Sequence, residues 1–489
     1  MRSPALTFLR LIFLFFAAAL PSLAQDKPMH MPPGEMHHHH GDIPVVEPVY
    51  PRLGRAQENP ASPLFTLEQA QKLATESNPT LRQAEAEIRA AKARQQQAGL
   101  YPNPTVGYAG DEIRGGSFNG GKQGFFVEQT VVTAGKLARN KDVFAKETQL
   151  AEIEAQEQKI RVETSVKTAF YRVLVAQELL DARRDLAIIE QNYADSRRQL
   201  FNTGQADESE VLEAEVEAQR LRLFARMQEN TLREEWRSLT ALVGRPDLPL
   251  ATVSGDLEHN WPDLDETQAV EAVATQSPAT RIAETDAARA ASSLLRAKRE
   301  PIPDLRLRGG LEYNNEPLGT VPASAGWEGT AEVGVQIPIF NRNQGNVAAA
   351  AASLERANLE KQRVVLTLRD RAATAADQYA SARLMALEYR DEMLPRAKQA
   401  YTLVTEKYGQ MLASNPRVLE SQRMLFNLQA EYIVALENVW TAGIALQGFL
   451  LTDGLEAPAR PGEVDRPIRE TNLPVPDRMM SPSDSMPRP

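Results

Sequence analysis

Cysteine is absent from the 489 residues of the chain. This absence excludes disulfides, metal sites built from thiolates, and a lipid anchor on an N-terminal cysteine. No stretch of ~18 consecutive apolar residues occurs, so the sequence predicts no transmembrane helix. The net charge of −10 argues against nucleic acid as a partner, because nucleic-acid-binding surfaces are basic.

Catalytic motifs are also missing. The sequence has no P-loop, no glycine-rich nucleotide fingerprint, no HExxH pair and no nucleophile elbow. His259 is the only histidine outside a short N-terminal tract. The many glutamates of the predicted helices are typical of solvated helix faces. We therefore expect neither an enzyme nor a bound cofactor.

The first 24 residues have the organisation of a secretory signal. Arg2 and Arg10 precede the apolar run Leu11–Leu20, and Ser22-Leu23-Ala24 offers small residues at a cleavage position. The run is too short to cross a bilayer, which favours a cleaved signal over a retained anchor. We predict a signal peptide over residues 1–24 and an exported mature chain.

The chain then repeats itself once. Pro278 and Pro303 each follow Pro79 and Pro104 by 199 residues, in similar local sequences. A repeat of this length indicates a duplicated domain and not a solenoid of short units. We predict a flexible Met/His/Pro-rich segment over 25–63, a first repeat over 64–250, a second over 251–455, and a disordered Pro-rich tail over 456–489.

Each repeat contains a very long helix that turns back on itself. Residues 136–203 include no Gly or Pro and are rich in strong helix formers. Their apolar positions recur at steps of three, four and seven, as in a helix packed lengthwise on others. The second repeat follows the same plan from Asn346 to about Leu412, interrupted by Pro395, which we expect to kink the helix. A coiled-coil rod without a pore is an alternative that the helices alone do not exclude.

Four segments alternate between apolar and polar residues. The clearest are Leu305–Tyr313 and Ala331–Ile339, and weaker ones are Thr105–Asp111 and Phe125–Val132. Each has roughly the ~10 residues that a tilted strand needs to cross a bilayer. The Gly-rich segments 114–122 and 314–326 are predicted as outer loops. A soluble sheet with one wet face is the alternative that the pattern leaves open.

A membrane location requires these strands to close a barrel with other copies of the chain. Backbone groups in lipid must be paired within a closed barrel, and known barrels need at least ~8 strands. Three protomers would supply twelve. On this hypothesis the polar face of the strands lines a lumen, with residues Arg306, Arg308, Glu312, Glu332 and Gln336.

The sequence around these strands resembles the TolC-type outer-membrane factors of tripartite efflux pumps and type I secretion. The resemblance covers about residues 64–455. It depends on the doubled opening helices, on Ala98–Pro104 before the first strand, on Gly135-Lys136 after the second, and on Leu394–Ala397 in the last long helix. The stretch Ile337–Gly345 is similar to the heavy-metal (Czc/Cus-like) branch of that family.

The resemblance implies a mainly α fold with a small β part, assembled as a homotrimer. Its long helical hairpins would form a periplasmic α-barrel and its strands a twelve-stranded transmembrane β-barrel in outer-membrane lipid. The hairpin tips, 202–210 and 409–417, would form the periplasmic aperture and meet an adaptor (membrane fusion) protein coupled to an inner-membrane RND transporter. The tip residues singled out are Asp207, Glu208, Asn415 and Arg417. Many metal-branch relatives carry a lipidated cysteine, which this chain lacks.

A tract of methionine and histidine follows the predicted cleavage site. Imidazole binds Cu(II), Zn and Ni, whereas thioether sulfur selects Cu(I), so the mixture favours copper. Pro and Gly within the tract indicate a flexible tether instead of a preformed site. The candidate metal ligands are Met29, His30, Met31, Met36, His37, His38, His39 and His40.

The functional hypothesis is a passive exit duct for heavy-metal cations such as copper, zinc or cobalt, in the bacterial outer membrane and periplasm. A drug-exporting or type I secretion channel of the same architecture is the first alternative. A periplasmic coiled-coil scaffold without a pore is the alternative of another class.

Overall fold

The computed structural model describes residues 50–51, 53–54, 64–113, 121–317 and 324–458. The chain divides into two units, Met1–Glu47 and Pro48–Pro489, and every described residue belongs to the second. The predicted signal peptide, the Met/His tract and residues 459–489 of the predicted tail lie outside the described residues, as do residues 114–120 and 318–323.

The first half of the chain contains two short helices, two strands of the main sheet and one hairpin of long helices. The elements are β1 (Leu64–Thr66), α1 (Leu67–Ser77), α2 (Pro79–Ala98), β2 (Thr105–Asp111), β3 (Lys122–Val131), α3 (Lys136–Asn202) and α4 (Glu208–Val243). We call α3 and α4 the first hairpin.

The second half has the same order of elements, with one long helix divided. The elements are β4 (Thr252–Ser254), α5 (Glu266–Gln276), α6 (Pro278–Arg299), β5 (Leu305–Pro317), β6 (Ser324–Val335), α7 (Gln344–Glu388), a π-helical turn (Tyr389–Met393), α8 (Leu394–Gly409) and α9 (Asn415–Gln447). We call the segment from α7 to α9 the second hairpin. None of the described helices combines the length and the apolarity needed to cross a membrane.

Helix α3 contains 67 residues, or roughly 100 Å at ~1.5 Å per residue. The absence of Gly and Pro explains its continuity. Its middle third is the centre of the main core, where Val166, Phe170 and Leu174 are almost fully buried. Helices α2, α4, α6 and α9 all pack on α3. The long first helix is therefore the spine on which both halves of the chain pack.

The second hairpin is interrupted where the sequence predicts it. The π-helical turn Tyr389–Met393 immediately precedes Pro395, which lies in the first turn of α8. The Leu394 N–H donates to the Tyr389 carbonyl, a five-residue step that widens the helix before the proline. A proline inside a regular helix would remove one hydrogen bond and clash with the preceding turn. The wide turn accommodates the ring within a helix that continues to the tip.

Two sheets connect the halves. In the smaller one, β1 pairs with β4 in parallel, with Phe65 opposite Val253. The Gln177 side chain on α3 holds β4 on both sides, because the Val253 N–H donates to its Oε1 at 3.1 Å and its Nε2 donates to the Val253 carbonyl at 3.3 Å. The larger sheet is antiparallel, in the order β2-β3-β5-β6.

The strand boundaries differ from the predicted ones. Strand β6 begins at Ser324 and ends at Val335, so Gln336 follows the strand and the prediction that Ile339 belongs to it is wrong. Pro338 explains the early end, because it has no N–H and restricts the residue before it. The predicted outer loop is shorter than expected, since β5 continues to Pro317. Pairing of Asn314 with Gly326 extends this strand pair.

Candidate functional site: the four-stranded sheet and the hairpin tips

One face of the four-stranded sheet is apolar and exposed. Leu311 lies opposite Phe125, and Tyr313 lies opposite Trp327, with their rings edge to face at 5.5 Å between centroids. Trp327 is 71% exposed. The exposed apolar side chains of this face are Val106, Tyr108, Phe125, Val127, Leu307, Leu311, Trp327, Val333 and Val335. A continuous apolar patch of this kind is typical of a surface that meets lipid or a partner.

The opposite face is polar and carries ion pairs between neighbouring strands. The structure brings four of the five predicted lumen residues, Arg306, Arg308, Glu312 and Glu332, to this face, where Arg308 and Glu332 are register partners. Arg306 Nε lies 3.3 Å from Glu128 Oε1, and Arg308 Nη1 lies 3.9 Å from Glu332 Oε2. Gln336, the fifth, lies beyond the strand.

Sequence reasoning missed the contribution of β3 to this face. Glu128 pairs with Arg306, and Lys122 lies 2.8 Å from Glu328. The adjacent residues Phe125 and Phe126 interrupt the apolar–polar alternation of β3, which hides its polar side. The signal that could have revealed it is the pair of charged residues in the strand, Lys122 at its start and Glu128 further along on the same face.

Both edges of the four-stranded sheet are open among the described residues. Strands β2 and β6 each pair with one neighbour only, so one edge of each leaves its backbone groups unpaired by another strand. An exposed edge strand is a template for pairing with another chain. In lipid, such groups must be paired. The sheet therefore has one apolar face, one polar face and two edges at which a strand of another chain can pair.

An asparagine at or near the start of each long helix makes the same kind of contact with the end of a shorter helix. The Asn140 Nδ2 donates to the Ala98 carbonyl at the end of α2, and the Asn343 Nδ2 donates to the Ala297 carbonyl near the end of α6, both at 2.8 Å. These contacts satisfy carbonyls at the ends of the shorter helices. The stretch that resembled the metal branch thus has a structural role, in which Asn343 begins α7 in a left-handed conformation with φ of 60°.

The tip of the first hairpin is a short turn with acidic residues. Gly204 takes a left-handed conformation with φ of +73°, and the Gln205 N–H donates to the Leu200 carbonyl at 2.8 Å. Asp207 is the N-cap of α4, and Glu208 is its first residue. Both lie exposed at the tip, where negative charge stabilises the N-terminus of a helix.

The tip of the second hairpin repeats this backbone with different side chains. The Leu412 N–H donates to the Lys407 carbonyl at 2.8 Å, and Met411 takes the left-handed position with φ of +61°. Asn415 begins α9, and Arg417 Nη1 lies 2.6 Å from Glu420 Oε2 on the same helix. The four predicted tip residues therefore lie in two separate turns, one acidic and one with a basic residue.

An ion pair with a buried carboxylate joins the two hairpins. Glu190 on α3 is fully buried, and it accepts two hydrogen bonds from Arg423 on α9. The Arg423 Nη2 donates to Glu190 Oε2 at 2.6 Å, and Nε donates to the other carboxylate oxygen. Such a two-pronged contact is specific to arginine. It fixes the position of α9 against α3.

Two further acids of α3, the buried Glu178 and the half-buried Glu154, have no cation as their main partner among the described residues. Burial raises the pKa of Glu178 to about 7, against the opposing effect of the Gly54 N–H, which donates to its Oε2 at 2.8 Å. Burial, with repulsion from Glu157, Asp286 and Glu87, raises the pKa of Glu154 to about 7 as well. The spine helix therefore carries groups that change charge near neutral pH.

A metal centre is not formed by the described residues, where no group of three or more His, Asp or Glu side chains is placed to hold an ion. His259 Nδ1 instead lies 3.0 Å from Asp256 Oδ2 in an exposed pair. The predicted Met/His ligands lie outside the described residues.

Comparison with known proteins gives two kinds of match. The model of the outer membrane efflux protein family matches residues 71–245 and 275–450, which together exceed half of the chain. The cobalt-zinc-cadmium resistance protein CzcC of Cupriavidus metallidurans is 25% identical over 291 residues, which cover 59% of this chain and 67% of CzcC.

Solved structures share the fold at low sequence identity. The open state of the MtrE outer membrane channel of Neisseria gonorrhoeae has a TM-score of 0.65 at 15% identity, and the match covers 80% of this chain and 90% of MtrE. CusC, described in terms of folding and transmembrane channel formation, has a TM-score of 0.60 at 16% identity, over 83% of this chain and 98% of CusC.

Proposed function

The chain belongs to the outer membrane efflux protein family, and from this premise we propose that it is the exit duct of a tripartite, RND-type system that expels heavy-metal cations. It is an outer-membrane protein and an efflux channel, as its family is. We infer no enzymatic activity, because a duct of this kind moves its cargo without chemical change. The energy and most of the selectivity belong to the partners in the inner membrane.

The two-faced sheet with open edges is the observation that carries the proposal. Three copies of the chain supply twelve strands, and β6 of one copy meets β2 of the next so that no edge remains in lipid. The apolar face with Phe125 and Trp327 then meets lipid. The face with Arg306, Arg308, Glu312 and Glu332 lines the lumen, and Gln336 lies at its periplasmic end. The long hairpins continue this wall into the periplasm as an α-barrel.

The two hairpin tips form the periplasmic aperture. Asp207 and Glu208, three times over, make a ring of negative charge that favours the entry of cations. Asn415 and Arg417 lie at the tips of the second hairpins, which alternate with the acidic tips around the aperture. Both kinds of tip contact the periplasmic adaptor. Charge complementarity at these exposed turns would set the speed and selectivity of docking more than its strength.

The metal cargo is supported by the similarity to CzcC, whose name states resistance to cobalt, zinc and cadmium. We propose that the Met/His tract captures metal ahead of the duct, since imidazole and thioether are ligands for soft and borderline ions. Titration of the purified protein with Cu(I), Cu(II) and Zn(II), before and after deletion of residues 29–40, tests this role. Equal binding by both proteins would contradict it.

Metal and drug sensitivity of a deletion strain tests the cargo. We expect the strain to become sensitive to copper, zinc, cobalt or cadmium, and the plasmid-borne gene to restore resistance. A strain carrying Asp207→Asn with Glu208→Gln should regain less resistance than one carrying the matched change Glu234→Gln on the exposed side of α4. Sensitivity to drugs alone would assign the duct to drug export instead.

Fractionation tests the assembly. We expect the protein in the outer membrane as a trimer that dissociates on heating before electrophoresis. A soluble periplasmic monomer would support the coiled-coil scaffold without a pore and would overturn the duct.

A further inference from the structure

Phe126 lies on the polar face of the four-stranded sheet. Among the residues paired in register across the four strands at this position, which we call one level, it is the one large apolar side chain. The register places Gly107 of β2 and Gly310 of β5 directly opposite Phe126, one on each side, and Thr330 of β6 beyond Gly310. The wall at this level therefore consists of one aromatic residue among three small ones.

The ring of Phe126 lies along the wall and does not stand away from it. A Cβ built on Gly107 would approach the Phe126 Cε1 to 2.5 Å, so the ring covers the space that a side chain at position 107 would need. Side chains of a strand usually stand roughly perpendicular to the sheet. Phe126 is accordingly half-buried, whereas its neighbour Phe125 on the other face is 68% exposed.

Arg308 covers the ring from the other side. Its guanidinium carbon lies 4.1 Å from the ring centroid of Phe126, a distance at which the cation is attracted to the aromatic face. The same guanidinium reaches Glu332, with Nη1 3.9 Å from Oε2. The glycine beneath and the arginine above thus hold the ring flat.

Charged side chains lie on the levels that flank this one. Toward the helices, Glu128 of β3 and Arg308 of β5 are register partners, and toward the outer loops Glu312 and Glu328 face each other across β5 and β6. Phe126 therefore marks an apolar level between two charged ones. Apolar constrictions in pores can block conduction by excluding water.

We propose that Phe126 is an aromatic gate of the barrel lumen, held open by Gly107 and Arg308. This inference rests on the proposed function, because it requires the polar face to line a lumen. With three copies of the chain, three rings share one level. Flat rings leave the lumen wide, whereas rings that stand upright narrow it at that level and make it apolar. The cargo that this gate would retard is hydrated ions and polar solutes.

A unique cysteine can report passage through the gate, because the natural chain has none. Asp111→Cys lies on the outer side of Phe126 and Thr130→Cys lies on the helix side, both on the polar face by register. Intact cells carrying either reporter are treated with a maleimide attached to a polyethylene glycol chain, and the labelling rate is measured. We expect both reporters to react in the otherwise unchanged chain.

Gly107→Ala should displace the ring and slow labelling at position 130 without changing labelling at position 111. Gly334→Ala is the matched control, since a Cβ there meets no atom within 4 Å on the same face, and it should change neither rate. Adding Phe126→Ala to Gly107→Ala should restore labelling at position 130. Arg308→Gln should slow labelling less than Gly107→Ala does, and Arg308→Lys should retain the original rate.

Unchanged labelling at position 130 in Gly107→Ala, with a normal heat-sensitive trimer, would overturn the gate. A loss of trimer heat stability without any change in rate would mean that Phe126 only fills the space beside two glycines, a known structural use of aromatics in sheets, and would also overturn it. Absence of labelling at both reporters in the otherwise unchanged chain would show that the polar face is not a lumen. That result would overturn the duct together with the gate.

Discussion

The two hairpins share one plan but differ in how they are held. Helix α3 of the first hairpin is continuous and buries side chains along most of its length, including Phe170 and Leu174. Helix α7 of the second ends in the π-helical turn and buries only Ala372, Ala376, Tyr379, Ala382 and Ala386. A segment with few buried apolar contacts opens at lower free energy than a core element. Within one chain, α7 is therefore held by fewer buried side chains than α3 is. We call the second hairpin the arm, in contrast to the spine α3.

The π-helical turn of the second hairpin contacts α9 and the segment between β4 and α5. Arg390 of the π-helical turn lies 5.3 Å from the ring centroid of Trp261, and the Tyr389 hydroxyl donates to Glu431 Oε2 at 3.1 Å. Trp261 belongs to the segment between β4 and α5, and its Nε1 donates to the Leu257 carbonyl at 2.8 Å. These contacts hold the turn within the second half of the chain, whereas the Glu190–Arg423 pair joins the second hairpin to α3.

The largest effect is expected from Arg423→Met, which removes the contact between arm and spine. Glu190 would remain buried without its cation, which costs roughly 3–5 kcal/mol. We expect a large drop in the unfolding temperature of the detergent-solubilised protein. Arg363→Met is the control, because its pair with Glu360 is exposed and such pairs contribute about 0–1 kcal/mol. Equal effects of the two changes would mean that the hairpins are not coupled through Glu190.

A pH dependence should follow from the buried acids of the spine. Because the pKa of Glu178 is raised to about 7, the folded state binds its proton more tightly than the unfolded state does. Its contribution to stability is full below the usual pKa near 4.5 and is lost as pH rises through 7. The resulting loss in the free energy of unfolding is at most roughly 3 kcal/mol.

Glu178→Gln tests this assignment, since glutamine keeps an acceptor for the Gly54 N–H without a charge. The unfolding temperature should fall less between pH 5 and pH 8 in this variant than in the natural chain. The exposed change Glu234→Gln should leave the pH profile as it was. An unchanged profile in Glu178→Gln would place the pH dependence elsewhere.

Pro395→Ala should make the helix of the second hairpin more regular, as α3 is. A residue with an N–H at position 395 can donate a backbone hydrogen bond, worth about 1 kcal/mol net. We expect slower hydrogen exchange across residues 389–399 and a modest rise in unfolding temperature. Persistence of fast exchange would mean that Trp261 and Glu431, not the proline, maintain the wide turn.

The smallest effect is expected from exchanging the residues at the two tips. Met411 and Gly204 occupy the same left-handed position in equivalent turns, and glycine adopts it without a steric penalty. Met411→Gly should stabilise the protein by roughly 0.5–1 kcal/mol, and Gly204→Ala should destabilise it by a similar amount. Chemical denaturation measures both changes. Destabilisation by Met411→Gly, or stabilisation by Gly204→Ala, would contradict the equivalence of the turns.

Local sequence signals predict the helices and the sheet better than the contacts between them. The structure confirms α3 to within one residue of its predicted end, since a window without Gly or Pro leaves no other stop. Pro395 predicts an interruption but not its π-helical form, because that form depends on the packing of Tyr389 and Arg390. The predicted ends of β5 and β6 differ from the observed ones. Pro338 ends β6 earlier than the apolar alternation suggests.

The candidate site is predictable only in part. Alternation in β5 and β6 brings Arg306, Arg308, Glu312 and Glu332 to one face, as expected. The Glu190–Arg423 pair joins residues 233 positions apart, and no local pattern indicates which of many charged residues will pair. The flat ring of Phe126 depends on glycines of two other strands, so it appears only once the register is known.

The pairing of β1 with β4 has a consequence for the order of folding. These strands lie roughly 190 residues apart, and contacts of long sequence separation form late because the intervening loop must first close. A chain delivered to the periplasm from its N-terminus exposes the apolar side of α3 before α6, α9 and β4 arrive to cover it. The interval between the arrival of the two halves is then the moment of greatest risk of aggregation. The apolar side of α3 in the first half is therefore covered only once the second half has folded against it.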